Sequence, residues 1–223
     1  MIKKSIVYKS WNIHFDWIEQ DHVEFTDRQY KKIEKITTII KTPKVIYDVG
    51  SNIGMYSLFF RHFWPDAEIY SFEALKDTAE IAMKNLENSN VTVFNYGLWD
   101  SETEILLGVP KGFDIQSTNY GFYWNSIQDY DVKVDVKTLN SVISTFNRVP
   151  DFLKIDVEGA EINVLRGGSE YLKQIKYIMV EYNRPYLELP APETVHELLI
   201  SEGFEVLSVL DSFDKIYINT KYA

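Results

Sequence analysis

Apolar positions along this chain follow two rhythms. Short β-branched or aromatic runs alternate with stretches whose apolar residues recur every three or four positions. Val45-Ile46-Tyr47 with Val49 reads as a strand, and Tyr56, Phe59, Phe60 and Phe63 then mark a helix. Glu68 to Phe72 alternates as a second strand; Ala79, Ala82, Met83 and Leu86 predict a helix over about 76–88, and 91–96 is a third strand. Ile105-Leu106-Leu107 and Val132 to Val136 read as strands, after which Thr138 caps a helix with Leu139, Val142, Ile143 and Phe146 on one face. Phe152 to Ile155 and Tyr177 to Val180 are apolar enough to be buried strands. The helix between them carries Ile162 and Leu165, and Gly167-Gly168 interrupts it or starts a second one. A helix over 192–202 stops at Gly203, and Val206 to Leu210 with Lys215 to Ile218 form a final hairpin. Strands alternating with helices predict a three-layer, Rossmann-like α/β domain of about seven strands, mostly parallel, with a C-terminal antiparallel hairpin.

Two regions fall outside that rhythm. Residues 1–43 form an N-terminal cover on the main domain at 44–223. In the cover, Trp11, Phe15 and Trp17 suggest a strand or hairpin; Thr26 with Gln29 reads as a capping box, and the helix it opens runs to Ile40 before Thr42-Pro43 ends it. Residues 108–131 form an insertion with glycines at 108, 112 and 121 and with Phe113, Tyr120, Phe122, Tyr123, Trp124 and Tyr130. Aromatic density in a long loop argues for function, and we expect a lid over an acceptor. The net charge of −10 argues against general nucleic-acid binding, which needs a basic footprint. The absence of cysteine excludes a disulfide scaffold, a thiolate zinc site and a cysteine nucleophile. No apolar run approaches the ~18 residues of a membrane span, so a cytoplasmic protein is the expectation.

The chemistry gathers at the strand ends. The first strand leads into Asp48-x-Gly50-x-x-x-Gly54, which is neither the dinucleotide G-x-G-x-x-G nor a P-loop. Glycines there let backbone approach a ligand. Glu73 ends the second strand, placed to accept from a ribose diol and to repel a phosphate. A nucleoside without a pyrophosphate fits both signals, and S-adenosylmethionine is such a molecule. In that reading Asp48 bonds the loop backbone or the ligand's amino group, Gly50, Asn52, Ile53 and Gly54 border the amino-acid tail, and Glu73 holds the ribose. Gly97-Leu98-Trp99-Asp100 turns toward the same loop, so Leu98 and Trp99 can wall an adenine; core packing is the alternative for Trp99.

Three segments resemble the FkbM family of S-adenosylmethionine-dependent methyltransferases: Tyr47 to Gly54, Ser71-Phe72-Glu73-Ala74, and Leu153-Lys154-Ile155-Asp156-Val157-Glu158-Gly159-Ala160-Glu161. Leu165-Arg166-Gly167-Gly168 extends the likeness, which covers roughly 44–183. The resemblance implies a seven-strand methyltransferase sheet and O-methylation of a sugar, polyketide or similar small hydroxyl compound. Relatives often have Leu-Asp where this chain has Leu139-Asn140. Asp156, Glu181 and Asn183 end two strands expected to be neighbours, which makes them the catalytic candidates; Asp156 also faces the methyl donor. Glu158 shares that face or caps the next helix, and Glu161 reads as a surface acid. Methyl transfer to oxygen rests on positioning, helped by a base. A Mg²⁺ on Asp156, Glu181 and Asn183 is an alternative; the metal-free version is preferred because Glu158 sits on no assured strand. His14, His22, His62 and His196 show no ligand spacing. The expected partner is a small-molecule or glycan acceptor. The rival readings are an inactive nucleoside-binding protein of the same fold and a nucleotide-sugar enzyme on a Rossmann-like sheet.

Overall fold

The computed structural model describes residues 4–15, 22–110, 128–181 and 192–223. Its centre is a seven-stranded sheet in the order β11-β12-β10-β9-β3-β4-β5. These are β3 Val45–Val49, β4 Glu68–Phe72, β5 Thr92–Phe94, β9 Phe152–Ile155, β10 Tyr177–Glu181, β11 Phe204–Val209 and β12 Asp214–Asn219. Strands β3, β4, β5, β9 and β10 are parallel, and β12 and β11 close the sheet antiparallel. Every residue of β3 and β9 is buried, as expected of parallel strands covered on both faces. Strand order reverses between β3 and β9, which opens a crevice at their carboxyl ends.

One face of the sheet is covered by α1 (His22–Ile39), α2 (Met55–Phe63), α3 (Lys76–Asn85) and the hairpin of β1 (Lys4–Tyr8) and β2 (Trp11–Phe15). Phe59, Phe60 and Phe152 are fully buried in this layer, each contributing roughly 1.5–3 kcal/mol of transfer free energy. The opposite face packs on α4 (Leu139–Phe146), α5 (Glu161–Arg166) and α6 (Pro192–Ser201). The N-terminal hairpin is tied to the glycine loop through Asn85. Its Oδ1 accepts from His14 N at 2.7 Å, and its Nδ2 donates to the carbonyls of His14 and Ile53 at 2.9 and 2.8 Å.

Several sequence expectations are revised. Helix α1 begins at His22, so Thr26 is no cap; its hydroxyl donates back to the His22 carbonyl at 2.6 Å inside the helix. A second sheet, in the order β6-β8-β7, stands beside the first: β6 is Gly97–Trp99, β7 Thr103–Pro110 and β8 Gln128–Thr138. The two ends of the expected insertion, 108–110 and 128–131, belong to the paired strands β7 and β8, and 111–127 lies outside the described residues. Tyr123 and Trp124, the residues expected to close on an acceptor, lie outside the described residues, as does Trp17. No described helix is long and apolar enough to cross a membrane.

Candidate active site

A cleft of about 820 Å³ opens at the carboxyl ends of β3, β4, β9 and β10. Its floor is the loop after β3. Gly50 sits at φ +73°, and a Cβ there would lie 1.8 Å from the Asp156 carbonyl, so no other residue fits without moving the end of β9. Gly54, at φ +78°, turns its bare side to Leu86 and Ala82. Neighbouring protein by itself thus demands both glycines. The loop's own amides are committed internally. Those of Gly50 and Ser51 donate to the Phe72 carbonyl at 3.0 Å each, and that of Gly54 to the Ser51 carbonyl at 2.9 Å. The Asn52 amide donates to Glu73 Oε2 at 2.9 Å and the Ile53 amide to Asn52 Oδ1 at 2.7 Å.

Glu73 also accepts from the Leu75 amide through Oε1 at 2.9 Å. These amide bonds orient the Glu73 carboxylate at the cleft it lines. Phe72, Ala74, Leu98, Trp99, Ile105 and Val136 give this end an apolar wall, so the second sheet is part of the site. Leu98 is buried and Trp99 half-buried. Of the residues expected to hold the cofactor, Gly50, Asn52, Ile53, Glu73, Leu98 and Asp156 line the cleft, and Asp48 and Gly54 are not in its lining. Asp48 is fully buried and bonds neither loop backbone nor cleft. Its Oδ2 accepts from the Ser57 hydroxyl at 2.7 Å, and its Oδ1 lies 3.1 Å from Lys154 Nζ.

Lys154 is the residue that sequence reasoning passed over. It is 2 % exposed in the middle of β9, and it spans Asp48, Asp156 (3.3 Å) and the Gly50 carbonyl (2.9 Å). Burial works against its charge, but Asp48 and Asp156 outweigh that and hold the ammonium above the ordinary lysine range. A charged residue inside Phe152-Leu153-Lys154-Ile155 was the available signal, because a buried lysine needs partners. Tyr56 carried no such signal. Its hydroxyl donates to Gln29 at 2.9 Å, and its ring lies 5.0 Å from Lys154 Nζ.

Strand register brings Asp156, Glu181 and Asp214 side by side. Val180 pairs with Ile155, so Glu181 falls beside Asp156, and Glu181 pairs directly with Asp214. The Asp156 charge and then burial push the Glu181 carboxyl well above its usual range. Burial raises Asp214 to about 6 against the opposing pull of Lys32, which donates to it and to Asp211 (2.9 Å). Asn183, the third catalytic candidate, lies outside the described residues. Among the described residues no three His, Asp or Glu side chains are grouped as a metal site. Glu158 lines the cleft from a turn at φ +55°, and the α5 N-cap is Ala160. Glu161 is no surface acid. It is 6 % exposed, accepts from the Gly159 amide at 2.9 Å, and is raised by burial to about 7. Asn140 is not among the residues lining the cleft; its side chain accepts from the Glu170 amide at 3.2 Å, so the departure from Leu-Asp falls elsewhere. His62 and His196 meet the Tyr30 and Tyr217 hydroxyls at 3.3 and 3.0 Å.

The profile of the methyltransferase FkbM domain matches residues 48–206, a span that contains the glycine loop, Glu73 and the Lys154–Asp156 strand. The chain belongs to the FkbM methyltransferase family. The chain is also similar, at low identity, to named methyltransferases. Methyltransferase 1 of Beauveria bassiana (strain ARSEF 2860) is 27% identical over 230 residues, covering 92% of this chain and 90% of that protein. Hexuronic acid methyltransferase AglP of Haloferax volcanii is 27% identical over 139 residues, covering 61% of this chain and 55% of that one. Among solved structures, cofactor-bound Rv0187 from MTB superposes with a TM-score of 0.53 at 10% identity over 86% of this chain and 79% of that one, a likeness of fold. The Rossmann-like methyltransferase architecture expected from the sequence is the one observed.

Proposed function

We propose that this methyltransferase uses S-adenosylmethionine and methylates a hydroxyl oxygen of a small molecule or sugar. The observation that carries the cofactor reading is the closed glycine loop. A pyrophosphate is normally held by loop amides and a helix N-terminus, and here all five amides from Gly50 to Gly54 already have acceptors. A phosphate-free nucleoside asks for a ribose acceptor and an apolar base wall instead, and Glu73 with the Leu98 side of the cleft supplies both. When bound, S-adenosylmethionine supplies a methyl group on a positively charged sulfur. Asp156 and Glu158 border the cleft with negative charge, which favours a cation, and the Glu181 carboxyl stands beside them.

The acceptor oxygen must lie in line with the methyl group, and holding it there supplies most of the rate. In the metal-free version we favour, a carboxylate oxygen of Asp156 takes the hydroxyl proton, Glu181 beside it serving as base only where it is ionised, and Asn183 positions the acceptor. Lys154 fixes Asp156 against the glycine loop. The name of AglP supports a sugar acid as one acceptor class. Calorimetric titration with S-adenosylhomocysteine and with NAD tests the cofactor. We expect saturable binding of the first alone, weakened by about 1–3 kcal/mol in Glu73→Gln; tight NAD binding without the other would end the reading. Once an acceptor is found, Asp156→Asn should keep cofactor affinity and lower kcat, and wild-type activity should survive EDTA. Full activity in Asp156→Asn removes that residue from the mechanism.

A further inference from the structure

The far wall of the cleft is a face of α1, and its charge runs against that of the whole chain. Arg28, Lys31, Lys32 and Lys35 all line the cavity. Their spacing of three, four and seven residues puts them on one stripe of the helix. The chain's net charge is −10, and the strand tips opposite carry Asp156, Glu158 and Glu181. The cleft is therefore polarised, acidic at the strand ends and basic along α1.

The four cations are not equally committed. Lys32 is held by Asp211 and Asp214, and Lys31 by Asp27 at 2.7 Å. Lys35 reaches the Leu210 carbonyl at 3.2 Å, and Arg28 lies 5.4 Å from the Phe25 ring centroid. Among the described residues neither meets a carboxylate, so both keep charge to offer. Beside them stand two apolar side chains, Phe25 and Phe213, the latter 45% exposed. Phe213 is presented by a fixed turn, since Asp211 Oδ1 accepts from the amides of Phe213 and Asp214 at 2.8 and 2.9 Å.

The geometry points to an acceptor subsite on this wall for a molecule bearing a carboxylate or phosphate on a ring-sized body. The anionic group lies against Arg28 and Lys35, and the ring packs on Phe25 and Phe213. This rests on the cofactor reading above, which places the cationic methyl donor at the acidic end. A cationic acceptor would meet like charge on α1, and a neutral one would leave Arg28 and Lys35 unused.

Probe pairs that differ only in charge test this. Protein saturated with S-adenosylhomocysteine is titrated by NMR with benzoate against benzamide, phenyl phosphate against phenol, and glucuronate against glucose. At least one anion is expected to bind saturably, shifting α1 resonances, while its neutral partner does not. Which anion binds separates a carboxylate source from a phosphate source. The exposed pair Arg28→Glu/Lys35→Glu should weaken that binding at least tenfold and leave S-adenosylhomocysteine affinity within twofold. Equal binding of charged and neutral partners overturns the proposal, as does binding unaffected by the charge reversal or no binding by any anion. If S-adenosylhomocysteine itself fails to bind, the cofactor reading falls, and the same titrations on the free protein still decide the anion subsite.

Discussion

At the residue scale the site is a balance of buried charges. Lys154 keeps two acids, Asp48 and Asp156, in a place where neither would sit alone. Breaking one partner of such a group strands the other. Glu161 shows the opposite case, a buried carboxyl held by amide donors and, among the described residues, by no cation. Its folded value of about 7 lies above the ordinary 4.5. The folded state therefore holds the proton more tightly than the unfolded chain, and the stability this lends is present below about pH 4.5 and lost as pH rises through about 7. That gap corresponds to about 3 kcal/mol. Glu161→Gln should flatten this part of the pH dependence and be more stable than wild type at pH 8, read from urea midpoints at pH 5 and pH 8. An unchanged pH dependence would show that Glu161 does not carry it. The sequence identified the acids at the strand tips because each ends an apolar run. It misjudged Glu161 because a first-turn acid is exposed or buried according to what packs over it.

At the element scale, α1 and the β11–β12 hairpin close the cleft together. Lys32 crosses from α1 to Asp211 and Asp214, and Lys35 crosses to the Leu210 carbonyl. Lys32→Met leaves Asp214, 1 % exposed, without its cation, and should cost about 3 kcal/mol. The double change Lys32→Met/Asp214→Asn should cost less than the sum of the single changes, measured as a denaturation cycle. Additive losses would mean that the two residues act independently. The sequence placed α1 as a cover on the sheet but not as a cleft wall, since nothing local ties residue 32 to residue 214. The β6-β8-β7 sheet was missed for a related reason. Its short strands looked like a turn and two fragments, and only their mutual pairing makes them a sheet.

At the scale of the whole molecule, the cleft joins two ends of opposite charge, and a ligand that binds only the folded chain stabilises all of it. S-adenosylhomocysteine at about a hundred times its Kd adds about 2.7 kcal/mol, which for a chain of this size raises Tm by about 5–10 °C. A melting temperature unmoved by saturating ligand would contradict binding to the native state.

The sequence by itself determined the order of the helices and of the strands of the seven-stranded sheet, because hydrophobic period is written in consecutive residues. It also determined the acid at 73 and the acids at 156 and 181, because a polar residue that ends a buried strand comes to lie at the rim of the sheet. The tertiary structure alone decided which rims meet. It placed Asp214 beside Glu181 through an antiparallel register, set Asp48 behind the wall, and gave Lys154 its partners on three sides. Those pairings join residues up to 106 positions apart in the chain, and they are fixed by sheet register and by the cost of an unpaired buried charge, which no local pattern encodes.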